Sequence, residues 1–170
     1  MRIATLVLTA ALALLAGCRS LPDPAEGATF VLVRHAEKAA DGTDDPPLTA
    51  AGERRAQRLA FALDRRPVVA VYATPTRRTQ ATAAPVAAGH GLAVTTYDAA
   101  TPPDQLAARL RAAHTAGTVL VVGHSNTVPA IAQALCACAI GPIADGEYGR
   151  RITLRVHPDG RVTVDDRREP

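Results

Sequence analysis

Three five-residue runs constrain the fold of this chain more than any other feature: Thr29-Phe-Val-Leu-Val33, Val68-Val-Ala-Val-Tyr72 and Thr118-Val-Leu-Val-Val122. None alternates apolar with polar residues. That is the pattern of a strand buried on both faces, which occurs where helices cover a parallel sheet. Helical segments fall between the runs. Leu48, Ala51, Ala56, Leu59, Ala60 and Leu63 share one face of a helix, with Thr49 as its N-cap. Thr74-Pro75 reads as an N-cap followed by proline at the first position of a helix reaching about Ala88. Gly89-His90-Gly91 ends that helix, Leu92 to Tyr97 alternates as a third strand, and Pro102 to Ala116 is helical again. Asn126 can cap a last helix running to about Cys138, with Pro129 tolerated in its first turn. The C-terminal stretch alternates from Arg151 to Val156 and from Arg161 to Val164 around His157-Pro-Asp-Gly160, which predicts a β-hairpin. The expected fold class is α/β: a three-layer α/β/α sandwich with a mostly parallel central sheet and a C-terminal antiparallel hairpin.

A length of 170 residues fits one domain and is too short for two independent catalytic domains. With 48% apolar and 21% charged residues, a disordered scaffold is excluded. Aromatic residues make up 3% and tryptophan is absent, so the core must be built from Ala, Val and Leu, and stacking platforms for single-stranded nucleic acid are not expected. The net charge of +3 is spread over arginines interleaved with acids, so no nucleic-acid partner is predicted.

Ile3 to Leu15 carries no charge, which is short for a bilayer span and suits a secretory leader. Its end, Leu15-Ala-Gly-Cys18, resembles the lipobox of bacterial lipoproteins. The expectation is a signal peptide over 1–17, a lipidated Cys18 with a tether over 18–28, and a catalytic domain over 29–170. The protein would then sit in the bacterial cell envelope, held to a membrane by its lipid anchor and facing the periplasm or the exterior. The ten residues Arg19 to Ala28 could hold the domain at most about 35 Å from that membrane. Cys136 and Cys138 are spaced to point to different faces of a helix, which predicts two small buried residues and no disulfide. His90, His114 and His157 fall in or beside loops and are expected to be solvated.

In a parallel sheet, ligands bind beyond the carboxyl ends of the strands. Here those ends read Arg34-His35-Ala36-Glu37-Lys38, Thr74-Pro75-Thr76-Arg77-Arg78 and Gly123-His124-Ser125-Asn126. Arginine forks match phosphate oxygens, and helix N-termini add N–H donors, so the predicted pocket takes a phosphate-sized anion. A neutral imidazole can attack phosphorus and split one difficult hydrolysis into two transfers. Guanidinium groups can supply the charge stabilisation, so no metal or cofactor is expected.

Val31-Leu-Val-Arg-His-Ala-Glu-Lys38, Thr74-Pro-Thr-Arg-Arg-Thr-Gln-Ala-Thr-Ala83 and Gly123-His-Ser-Asn-Thr127, in this order, resemble the histidine phosphatase superfamily, also called phosphoglycerate-mutase-like. Leu48-Thr-Ala-Ala-Gly52 resembles that family's segment at the start of the first helix. The resemblance implies that Arg34 and Arg78 bind phosphate, that His35 is the nucleophile, and that His124 stabilises the transferred phosphoryl group, with Ser125 and Asn126 beside the substrate. It also implies a carboxylate general acid between the second arginine and second histidine. Asp98 is best placed, with Glu37 and Glu147 as alternatives. Ala36 stands where the family commonly has glycine. Arg77, one residue from Arg78, should face away from the pocket.

The expected activity is metal-independent hydrolysis of a small phosphorylated substrate through phosphohistidine. A phosphohistidine-protein phosphatase is the alternative, favoured by an open site and opposed by an envelope location, because phosphorelay proteins are expected inside the cell. Outside this class stands a non-catalytic anion-binding lipoprotein. A metallohydrolase using His35 and His124 as ligands lacks the accompanying ligand spacing.

Overall fold

The computed structural model describes residues 23–168. The apolar leader, Cys18 and the beginning of the tether lie outside the described residues. A short 3-10 turn over Pro24–Glu26, capped by the Asp23 side chain, leads into the domain. There follow β1 (Ala28–Arg34), α1 (Ala50–Leu63), β2 (Val68–Ala73), α2 (Arg77–His90), β3 (Val94–Thr96), α3 (Pro103–Ala113), β4 (Gly117–Gly123), α4 (Thr127–Cys136), β5 (Arg150–Val156) and β6 (Val162–Arg168). The strands form one sheet in the order β3-β2-β4-β1-β5-β6. The first four are parallel, and β5 and β6 are antiparallel. The α/β expectation holds, with one refinement: β5 pairs with β1, so only β6 of the hairpin is an edge strand.

Strand side chains alternate between two faces. Phe30 and Leu32 of β1, with Val119 and Val121 of β4, pack against Leu106 and Leu110 of α3 and Ile131 and Leu135 of α4. Val31, Val33, Leu120 and Val122 face the other way, against Leu63 of α1 and Ala83, Val86 and Ala87 of α2. The unbroken apolar runs are therefore two half-cores interleaved on one backbone. Truncating one of their fully buried leucines to alanine should cost about 2–5 kcal/mol. No helix among the described residues is long and apolar enough to cross a membrane.

Several local expectations are corrected. The second helix begins at Arg77, two residues after the expected start, and Thr76 at its N-cap makes no side-chain capping bond. The last helix ends at Cys136, because Ala137 turns into the left-handed region at φ 51°. That turn takes Cys138 off the helix, and the two sulfurs form a disulfide at 2.10 Å. The expectation of two buried, unpaired thiols assumed that the helix continued. Nor does the Asn126 side chain cap α4; the Thr127 hydroxyl instead accepts the His124 N–H at 3.0 Å. His90 is buried at the end of α2, and His114 pairs with the Tyr72 hydroxyl at 2.9 Å, so neither is a solvated loop residue.

Candidate active site

Strand register assembles the site. Arg34, the last residue of β1, is level with Gly123, the last of β4, and Ala73 at the end of β2 is level with Val122. The next residue of each chain therefore emerges at one edge of three adjacent strands: His35, His124 and Thr74. The His35 N–H donates to the Gly123 carbonyl at 2.9 Å, closing the seam between β1 and β4. The two imidazoles meet edge to face with centroids 5.5 Å apart. Gly123 lets two side chains close over this turn: a Cβ there would lie 2.7 Å from the Tyr97 hydroxyl and 2.8 Å from Thr127 Oγ1.

His35 is 3% exposed. Its Nδ1–H donates to the Ala36 carbonyl at 2.8 Å. A carbonyl can only accept, so this bond fixes the proton on Nδ1 and leaves the Nε2 lone pair available. Burial pushes the His35 pKa down to about 4; Arg34, Arg78 and His124 push the same way, against the Ala36 hydrogen bond. The ring is neutral through the physiological range. His124 is also lowered, first by burial and then by Arg78 and Arg34. Its Nε2 lies 2.9 Å from the hydroxyl of the fully buried Thr74, which also bonds to Thr79 Oγ1 at 2.9 Å.

The two arginines are held differently. Arg34, 7% exposed, spends Nη1 on the carbonyls of Ala144, Asp145 and Glu147 at 3.0, 2.6 and 3.4 Å. Its guanidinium carbon sits 4.4 Å from the centre of the Tyr148 ring, a cation–π contact. Tyr148 is in turn 6.1 Å from the His35 ring. Arg78, in the first turn of α2, is half-buried and meets Asp45 through Nη1 at 3.3 Å. In both arginines Nε is buried without a hydrogen-bond partner. Arg77 is exposed, as its helical position requires.

The carboxylates expected near the pocket are otherwise engaged. Asp98 is exposed and accepts the Ala100 N–H at 2.8 Å. Its neighbour Tyr97 takes the inward position, donating from its hydroxyl to the Val122 carbonyl at 3.2 Å. Glu37 binds Arg55 at 2.8 Å, which with other contacts holds its carboxyl below the usual range. Glu147 accepts from Arg168 Nε at 2.7 Å and the Ala144 N–H at 3.2 Å. Among the described residues, the carboxylate that hydrogen-bonds a member of the His35, His124, Arg34 and Arg78 set is Asp45. Ser125 is half-buried and Asn126 exposed at the approach to α4. Ala36 is fully buried without positive φ, and its N–H donates to Thr82 Oγ1 at 3.0 Å, so the methyl is accommodated without strain.

Residues 30–100 match the model of the histidine phosphatase superfamily, branch 1. That segment carries Arg34, His35 and Arg78, and His124 lies beyond it. Over that segment the chain is similar to the histidine phosphatase superfamily. Solved structures of similar fold include a candidate phosphohistidine phosphatase SixA from Nakamurella multipartitia, 28% identical, with a TM-score of 0.64, covering 85% of this chain and 98% of that one. A protein histidine phosphatase SixA solved with tungstate is 19% identical, with a TM-score of 0.65 and coverage of 82% and 96%. A mycobacterial glucosyl-3-phosphoglycerate phosphatase is 14% identical, with a TM-score of 0.62 and coverage of 85% and 100%. No curated protein matches the chain.

Thr74, Tyr148 and Asp45 were not among the expected site residues. Thr74 had a signal, because it is the residue of the Thr74-Pro-Thr-Arg-Arg motif that directly follows a buried strand. Asp45 is one of three aspartates in a single loop, and Tyr148 belongs to no periodic element. Only tertiary structure brings those two to the site.

Proposed function

We propose that the protein is a phosphomonoesterase that works through a phosphohistidine intermediate. His35 Nε2 attacks phosphorus and the ester oxygen leaves; water then attacks the phosphohistidine, releasing phosphate and restoring the imidazole. Arg34 and Arg78 hold the phosphoryl oxygens, and an anion across their forks satisfies the buried Nε donors. His124, oriented by Thr74, donates to the same oxygens as charge builds. The charge stabilisation is assigned to these groups without a metal. The observation that carries the reading is the Nδ1–H bond of His35 to a carbonyl, because it leaves the reactive nitrogen bare in a ring whose pKa is about 4.

Brief mixing with a labelled phosphomonoester after chelator treatment, followed by alkaline quenching, should trap acid-labile, base-stable label on the His35 peptide. Full turnover in His35→Ala protein, or activity abolished by chelator, would overturn the reading.

The substrate class has a second reading, a protein phosphohistidine. The P–N bond of a phosphoramidate needs less help in leaving than an alkoxide, and the Asp98, Glu37 and Glu147 carboxylates are tied to other groups. Asp98 is assigned as general acid only by its place after β3. If it fills that role, Asp98→Asn slows alkyl phosphates far more than phosphoramidates. The likeness to SixA supports the second reading. We further propose an envelope lipoprotein anchored through Cys18, on the strength of the uncharged leader and the lipobox-like segment. Cys18→Ser should then leave the protein soluble or unprocessed; membrane-bound, processed protein would overturn the anchor.

A further inference from the structure

Loop 39–47, which joins the nucleophile segment to α1, is closed at its base by the Ala39 N–H donating to the Pro47 carbonyl at 2.8 Å and by a bridge between Lys38 and Leu48. Its aspartates have different fates. Asp41 is turned inward on its own loop by the Thr43 hydroxyl and N–H, at 2.7 and 3.1 Å. Asp45 reaches across to α2. Its Oδ1 accepts the Arg77 N–H at 3.0 Å and meets Arg78 Nη1 at 3.3 Å, while Oδ2 lies 3.1 Å from the same N–H. Pro46 and Pro47 follow it, and a residue before proline is confined to extended backbone, so the carboxylate is presented with little freedom.

We propose that Asp45 is a specificity residue that acts as a charge filter. Its anion, held on Arg78 at the rim, admits phosphoryl substrates whose adjoining group is neutral or cationic and turns away those with a second anion beside the phosphorus. The inference rests on the proposed role of Arg78 in phosphoryl binding. Two donors that could accept such a second anion, Arg78 Nη1 and the first N–H of α2, are already taken by Asp45, and its charge repels what remains nearby. A purely structural alternative exists, because α2 has no cap of its own and begins with two arginines at its positive end. As a helix cap alone, Asp45 would affect all substrates equally.

Asp45→Asn separates the two, since the amide oxygen can still accept the Arg77 N–H while the charge is gone. Phosphoglycolate and phosphoethanolamine are similar in size and differ in the sign of the group beside the phosphate. For the full-length protein, the ratio of kcat/KM for phosphoglycolate to that for phosphoethanolamine should rise about tenfold in Asp45→Asn. Asp45→Ser, which keeps a cap acceptor, should move the ratio the same way and serves if the asparagine variant fails to fold. An unchanged ratio would overturn the filter, as would loss of only the alkaline limb of the pH profile, the mark of a proton donor. If the wild type hydrolyses no phosphomonoester, the phosphatase reading fails by itself. The filter is then read by calorimetry: Asp45→Asn should tighten pyrophosphate more than orthophosphate, and equal changes would overturn it.

Discussion

Arg34 and Arg78 reach the proposed phosphoryl site from opposite kinds of surroundings. Arg34 stands at the end of the β1 strand, nine-tenths buried, with three carbonyls on Nη1 and a tyrosine ring over its face. Arg78 stands on a helix start and is steadied by one half-exposed carboxylate from a loop. Charged groups buried among backbone acceptors are costly to remove and hard to retune. A charge facing a single exposed partner is cheap to adjust. The site thus has a fixed side and an adjustable side, and substrate preference should be set on the second.

The largest effect should come from removing the group both sides serve: His35→Ala should lower kcat by roughly four orders of magnitude while circular dichroism shows the fold retained. The contrast itself is tested by truncating each arginine. Both Arg34→Ala and Arg78→Ala should lower kcat/KM by about 100-fold or more. Only Arg34→Ala should also lower thermal stability, by about 2–4 kcal/mol, because three carbonyls lose their donor. Equal thermal shifts for the two variants would erase the distinction.

Acid should act next. Because the His35 pKa falls from 6.5 to about 4 on folding, the unfolded chain binds this proton first as pH drops. The contribution of His35 to stability is complete above about pH 6.5, declines between there and about pH 4, and is level below that range. Activity should persist to nearly pH 4, where His35 protonates. His35→Gln should flatten that segment of the Tm profile; a slope equal to wild type would place the proton elsewhere. The smallest change should be Arg77→Ala, within about threefold of wild type in kcat/KM since the side chain is exposed and only its backbone N–H reaches Asp45.

What could be read from sequence followed the fixed side. Arg34 directly follows a run whose unbroken apolarity declares a strand buried on both faces, and His35, Thr74 and His124 come one residue further on, so register alone brings them together. On the adjustable side only Arg78 itself was legible, not the carboxylate that holds it. α2 starts two residues late because a carboxylate 32 residues upstream caps it, and no local capping pattern reports such a partner. The Cys136–Cys138 bridge escaped notice because one residue, Ala137, adopts a left-handed turn that its side chain does not advertise. Tyr148 arrives on a segment without period, and the inward turn of Tyr97, which sends Asp98 outward, depends on what Val122 offers it.

Gly52 has a mechanical consequence. A Cβ there would collide with the Glu37 carbonyl, so α1 rests bare backbone against the segment that carries His35. The same contact is stitched by the Thr49 N–H on the Glu37 carbonyl at 2.8 Å and by Arg55 on the Glu37 carboxylate. Helix and segment are therefore a single opening unit, whose amides should surrender their protons to deuterated solvent at one shared rate. The first turn of a helix with no catalytic residue of its own would then set how long the imidazole stays aimed.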